Sequence, residues 1–198
     1  MIKVCKFGGT SMADGITMLR VRKILESDPT RRYVVVSAPG KRFSGDVKVT
    51  DLLYETYDNV SLRGETGEAF EKICERFRGI VSELGLNMDV DALLAQTGAE
   101  ILREATPDFC ASRGEYLSAR IMAQLLDVPF IDARDVVKFG ADGRLDGEKT
   151  YALLAAALKG KKRAVVSGFY GEDVNGKVKT FSRSGSDVSG AIVARAAG

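Results

Sequence analysis

Four short stretches of this chain hold side chains suited to chemistry. Near the start, Lys6 ends a short apolar run and is followed by Phe7, Gly8, Gly9, Thr10 and Ser11. Two adjacent glycines cost backbone entropy, so they belong where the chain turns sharply or lets something come close. Backbone N–H groups freed of a Cβ can approach phosphate oxygens, and an ammonium beside them can neutralise developing charge. In 48–56, "KVTDLLYET", Thr50 stands just ahead of an apolar helix, where an N-cap is the ordinary reading. In 112–118, "SRGEYLS", Ser112 and Glu115 match an S-x-x-E capping box before an apolar run, and spacing alone leaves their role open. In 181–190, "FSRSGSDVSG", Ser186 or Asp187 suits an N-cap. The same strand-to-helix turn suits an anion site, to which Arg183 adds a fork donor.

The chain has no histidine. Histidine triads, histidine-ligated zinc and imidazole acid–base chemistry are therefore excluded within it. Catalysis here would rest on Lys, Arg, Asp, Glu, Ser, Thr, backbone N–H groups and a hard metal ion. The segment 171–178, "GEDVNGKV", has G-x-x-x-x-G-K spacing but ends in valine, where a Walker loop needs Ser or Thr. Asn175-Gly176 followed by strand-like alternation predicts a hairpin instead.

The elements that must position these groups alternate in type. Ile2–Lys6 is predicted as a strand and the stretch after Gly9 as a helix. Tyr33 to Val36 is a β-branched run, the pattern of a strand buried on both faces. Together they form a βαβ unit. The polar, basic stretch 38–49 is expected to be a mobile loop. Helical spacing covers Phe70 to Leu84, Leu93 to Leu102 and Tyr116 to Leu126. A strand is expected at 128–133, a helix at 151–158, strands at 163–171 and 176–181, and a capped helix at the end. This alternation argues for a mostly parallel sheet covered on both faces, without repeats or linkers.

The 198 residues can bury a sizeable core. With 29 basic and 27 acidic residues, the charge balance gives no reason to expect nucleic acid or membrane as partner. Cys5, Cys74 and Cys110 lack CxxC spacing and are read as reduced thiols. No signal-peptide pattern opens the sequence and no apolar run is long enough to span a bilayer, so a cytoplasmic protein is expected.

In order, "KFGGTS", "VVVSAPGKR" with "KVTDLLY", "SRGEYLSA", "GFYG" and "TFSRSGSD" resemble the sequence blocks of aspartate kinases, and they span essentially the whole chain. The resemblance implies an α/β amino-acid kinase fold, carbamate kinase-like, with a mainly parallel sheet sandwiched between helix layers. It implies MgATP-dependent phosphorylation of the β-carboxylate of L-aspartate to 4-phospho-L-aspartate, the entry to lysine, threonine and methionine synthesis. By resemblance, Lys6 stabilises the phosphoryl group in flight, and Gly8, Gly9 and Ser37 hold phosphate oxygens. Thr50, Glu115, Arg183 and Ser186 bind aspartate, with Glu115 facing the α-amino group and Arg183 the α-carboxylate. Asp187 positions the lysine network.

Two features depart from the family pattern. Ser184 stands where a glycine is usual. Family members also continue with an adenine-binding segment, a second phosphate-directed lysine and ACT regulatory domains. Residues 1–198 are accordingly expected to be the amino-terminal portion of a catalytic domain, incomplete on its C-terminal side and inactive in isolation. The complete protein is expected to be a homo-oligomer. The alternatives are a non-catalytic aspartate-binding module and another amino-acid kinase with a different acceptor.

Overall fold

The computed structural model describes residues 1–181 and 185–198. Strand β1 (Lys3–Phe7) leads through a 3-10 turn (Gly9–Met12) into helix α1 (Gly15–Glu26), and β2 (Arg31–Val36) returns parallel to β1. The βαβ unit is present as expected. Asp14 sets the start of α1: its carboxylate accepts from the Thr17 N–H at 2.8 Å, and the Thr17 hydroxyl completes a capping box.

Four helices follow: α2 (Val49–Arg63), α3 (Gly67–Leu84), α4 (Val90–Glu104) and α5 (Pro107–Leu126). Next come β3 (Phe130–Ile131), α6 (Ala133–Val136), α7 (Gly147–Leu158), β4 (Ala164–Ser167), β5 (Tyr170–Glu172), β6 (Val178–Thr180) and α8 (Gly185–Ala197). The main sheet has the order β1-β2-β4-β3 with every pairing parallel. Helix α5 packs against β2 and β4, while α8 packs against β1 and β2 with α7 beside it. Tyr33, Val34, Val35 and Val36 are all buried, as a strand covered on both faces requires.

The strand expected over 163–171 is two strands. Phe169 has φ +77°, a left-handed conformation that breaks the extended run, so β5 leaves the main sheet and pairs antiparallel with β6. Gly176, at φ +74°, makes the intervening turn, which bears out the hairpin. The 128–133 strand shrinks to Phe130–Ile131, because Asp132 caps α6 by accepting from the Arg134 N–H.

Three capping expectations are corrected. Helix α2 begins at Val49, whose N–H is satisfied by the Pro39 carbonyl at 3.1 Å, so Lys48 is the N-cap and Thr50 lies inside the helix. Helix α5 begins at Pro107, pre-set for a first turn, with the Thr106 hydroxyl accepting from the Phe109 N–H. Ser112 and Glu115 are therefore mid-helix, and the Ser112 hydroxyl donates back to the Phe109 carbonyl at 2.6 Å. Ser186 and Asp187 are likewise within α8, which opens at Gly185.

Segment 38–48 is not the free loop expected. The Gly40 N–H donates to the Gly9 carbonyl at 2.8 Å, and Arg76 of α3 binds both the Gly40 carbonyl and the Asp46 carboxylate. Cys5, Cys74 and Cys110 are free thiols, and burial raises the pKa of all three. No helix among the described residues is long and apolar enough to cross a membrane.

Candidate active site

The site forms where β1 and β2 end, at the carboxyl edge of the parallel sheet, the usual place for ligands in such folds. Lys6 pairs in register with Val35 and points its side chain toward α8. Gly190 of α8 makes room: a Cβ there would sit 3.3 Å from the Lys6 Cβ. The lysine reaches the first turn of α8, where Nζ lies 2.8 Å from Asp187 Oδ1. Gly8 adjoins the same ammonium, since a Cβ at Gly8 would lie 3.7 Å from Nζ.

The two loops beside Lys6 touch through glycines. A Cβ on Gly40 would come within 2.8 Å of the Gly9 carbonyl carbon, and one on Gly9 within 3.0 Å of the Ala38 oxygen. Both contacts are with backbone, which has little freedom to give way. Ser37 follows β2, and its N–H donates to the Phe7 carbonyl at 3.0 Å.

Glu115 reaches this edge from the buried helix α5. Gly114 permits the approach, because a Cβ there would meet the Ala38 Cβ at 2.6 Å. The Ser37 hydroxyl donates to Ser186 Oγ at 3.0 Å, and the Ser186 hydroxyl makes a long 3.5 Å contact to Glu115 Oε1. Glu115 Oε2 is buried and has no hydrogen-bond partner among the described residues. Burial pushes the Glu115 pKa up to about 8, against opposing pulls from the Ala38 backbone, the Ser186 hydroxyl and the Lys6 charge.

A cavity of about 470 Å³ opens here, walled by Gly9, Ser37, Gly40, Thr50 and Glu115, with Lys41 and Lys48 also on its wall. Three of the expected substrate residues (Thr50, Glu115 and Ser186) meet at or beside it. The Lys6–Asp187 pair adjoins it through Gly8–Gly9 and Ser186. Arg183 and Ser184 lie outside the described residues. The sequence reading missed Gly40, Gly114, Lys41, Lys48, Asp46 and Arg76. A signal existed for some of them: glycines and lysines concentrate in 38–49. Nothing in the spacing of Arg76 within an amphipathic helix marks it.

The orphaned Glu115 oxygen suits a cation, and the cavity's lysines suit anions. A zwitterionic amino acid carries both. Half-buried glycine backbone beside Lys6, at Gly8 and Gly9, suits phosphate oxygens. Among the described residues, no three Cys, Asp or Glu side chains cluster as a metal cage.

The profile of the amino acid kinase family matches residues 1–198. Aspartokinase 3 of Bacillus subtilis is 32% identical over 98% of this chain and 46% of its own length. A crystal structure of Clostridium acetobutylicum aspartate kinase superposes with a TM-score of 0.93 at 42% identity, covering 98% of this chain and 45% of that one. Escherichia coli aspartokinase III, solved with aspartate and ADP, gives 0.82 at 27% identity over 99% of this chain and 47% of that one. The chain spans about half the length of the relatives it matches. With the parallel sheet, the glycine-lined strand edge and these likenesses together, this chain belongs to the amino acid kinase family and is similar, over that half, to aspartate kinases.

Proposed function

We propose that this chain is the aspartate-binding portion of an aspartate kinase, which transfers the γ-phosphoryl group of MgATP to the β-carboxylate of L-aspartate. The observation that carries this reading is Glu115: buried, with Oε2 unpaired among the described residues, beside the Ser186 hydroxyl and on the wall of a cavity shared with Thr50. A buried carboxyl group without a partner is costly to ionise, and a ligand ammonium beside it removes that cost. The α-amino group of aspartate supplies one. By family resemblance Arg183 takes the α-carboxylate, which leaves the β-carboxylate directed at the phosphoryl donor.

That β-carboxylate has a free pKa of ~3.9 and is ionised at neutral pH, so no general base is needed. One of its oxygens attacks the γ-phosphorus, the bond from that phosphorus to the bridging oxygen breaks, and ADP leaves. Catalysis then rests on alignment and charge. Lys6 offers the ammonium, and Asp187 holds it at the mouth of the glycine turn. Gly8 and Gly9 let backbone N–H groups approach phosphate oxygens. The solved complex of a relative with aspartate and ADP supports both ligand classes.

The adenine-binding part and the ACT regulatory domains belong, in this reading, to the other half of the complete protein, a cytoplasmic homo-oligomer. The chain alone should bind L-aspartate and fail to turn it over. Calorimetric titration with L-aspartate and with succinate, which lacks the amino group, tests the binding claim. Preference for L-aspartate supports it, whereas no binding, or equal binding of both, contradicts it. Hydroxylamine trapping of aspartyl phosphate with MgATP present should yield nothing from the chain alone, and steady hydroxamate formation would overturn that part.

A further inference from the structure

We infer that Lys41 and Lys48 form an additional anion subsite on the cavity wall, and that the buried Arg76–Asp46 pair is the device that positions it. The inference rests on the reading of this cavity as the substrate site. Both lysines line the cavity, both are exposed, and neither is in an ion pair among the described residues. Lys6, by contrast, is already paired with Asp187.

Lys48 also breaks a local rule. It is the N-cap of α2, with no side-chain cap hydrogen bond, at the helix end where the dipole disfavours a cation. A lysine held at that place is explained by an anion arriving there. The α2 dipole and the two ammonium groups would then act on the same ligand charge.

The segment carrying both lysines is fastened at three points. Arg76 donates from one guanidinium nitrogen to the Gly40 carbonyl at 3.0 Å, and from another to Asp46 Oδ2 at 2.6 Å. Asp46 also accepts from the Arg42 backbone N–H at 2.9 Å and from its guanidinium at 2.8 and 3.0 Å. Both side chains of the Arg76–Asp46 pair are almost completely buried, at 5% and 8% exposure. Gly40, gripped on its carbonyl by Arg76, donates its N–H to Gly9. Lys41 follows directly, and Lys48 lies two residues beyond Asp46. The guanidinium fork thus sets the position of both lysines from outside the cavity, and a lysine at position 76 would offer one nitrogen in place of the two that make these bonds.

The ligand group is an oxyanion, either a carboxylate of the amino-acid substrate or a phosphate of the donor. Titrations of the chain with L-aspartate and with tripolyphosphate distinguish the two sources. Lys41→Met/Lys48→Met should weaken whichever ligand uses the subsite by about tenfold or more, as for loss of charge-assisted hydrogen bonds, with an unchanged melting temperature. Arg76→Lys should weaken the same ligand. When combined with the lysine pair it should add almost nothing, because both changes remove one interaction. An Arg76 that is merely structural would lower the melting temperature and leave the lysine effect intact and additive. Should Arg76→Lys fail to fold, Asp46→Asn serves in the same cycle, and the exposed lysine variants stand by themselves. Undiminished affinity of Lys41→Met/Lys48→Met for both ligands would overturn the subsite. A wild-type chain that binds tripolyphosphate but not L-aspartate would overturn the functional reading instead and leave the subsite standing. A wild-type chain that binds neither would overturn both.

Discussion

Lys6 and Asp187, from opposite ends of the chain, meet at 2.8 Å where β1 ends and α8 begins. Both side chains keep solvent access, at 27% and 65% exposure. An ion pair this wet contributes at most ~1 kcal/mol to stability. On the proposed function, its place at the glycine turn serves chemistry rather than folding. In a turnover-competent protein carrying this chain, Lys6→Ala should lower kcat by ~10²–10³ and leave KM for aspartate nearly unchanged. The melting temperature should barely move. Steady-state kinetics beside a thermal melt check both halves of this expectation.

Gly9 and Gly40 should tolerate no side chain. Gly40→Ala would push a Cβ into the Gly9 backbone at 2.8 Å, so the two loops must part. Overpacking of this kind costs roughly 1–3 kcal/mol. Gly79→Ala, on the open side of α3 where a Cβ meets nothing, is the control and should be neutral or stabilising. Urea denaturation of the two variants gives the comparison.

Glu115 makes stability depend on pH in an unusual direction. Its folded pKa of about 8 lies above the ordinary 4.5. Between those values the unfolded chain has lost the proton and the folded chain keeps it. Stability therefore falls as pH rises through that window, and levels off above the folded value. Glu115→Gln, which is neutral throughout, should remove this slope and stabilise the unliganded protein above pH 8 by on the order of a few kcal/mol. Chemical denaturation at pH 5, 7 and 9 measures it, and an unchanged slope in the variant would assign the dependence to other groups.

The βαβ start and the hairpin were legible because each rests on local chemistry: the β-branched run Tyr33 to Val36, and Asn175-Gly176. The cap assignments were not, because tertiary partners replaced the expected side chains. The Pro39 carbonyl receives the Val49 N–H, which moves the start of α2 ahead of Thr50. Thr106 and Pro107 start α5 well before Ser112, which leaves Glu115 on a buried face. The pattern of Ser112 and Glu115, which spacing alone left open between a cap and a site, is thereby freed for the site. Arg76 was invisible for another reason: its partners, Gly40 and Asp46, lie on a different segment, and only the fold brings them to it.

The most direct measurement is the proton count on binding. Calorimetric titration of the chain with L-aspartate at pH 7, in two buffers of different ionisation enthalpy, reads protons released per ligand bound. Glu115 begins mostly protonated, with its pKa near 8, and an ammonium docking against it favours the charged form. Release of about one proton per aspartate is expected in the wild-type chain and none in Glu115→Gln, which should also bind more weakly. Aspartate binding with no proton released, or with the same release in Glu115→Gln, would contradict the assignment of Glu115 as the group that receives the substrate's amino end.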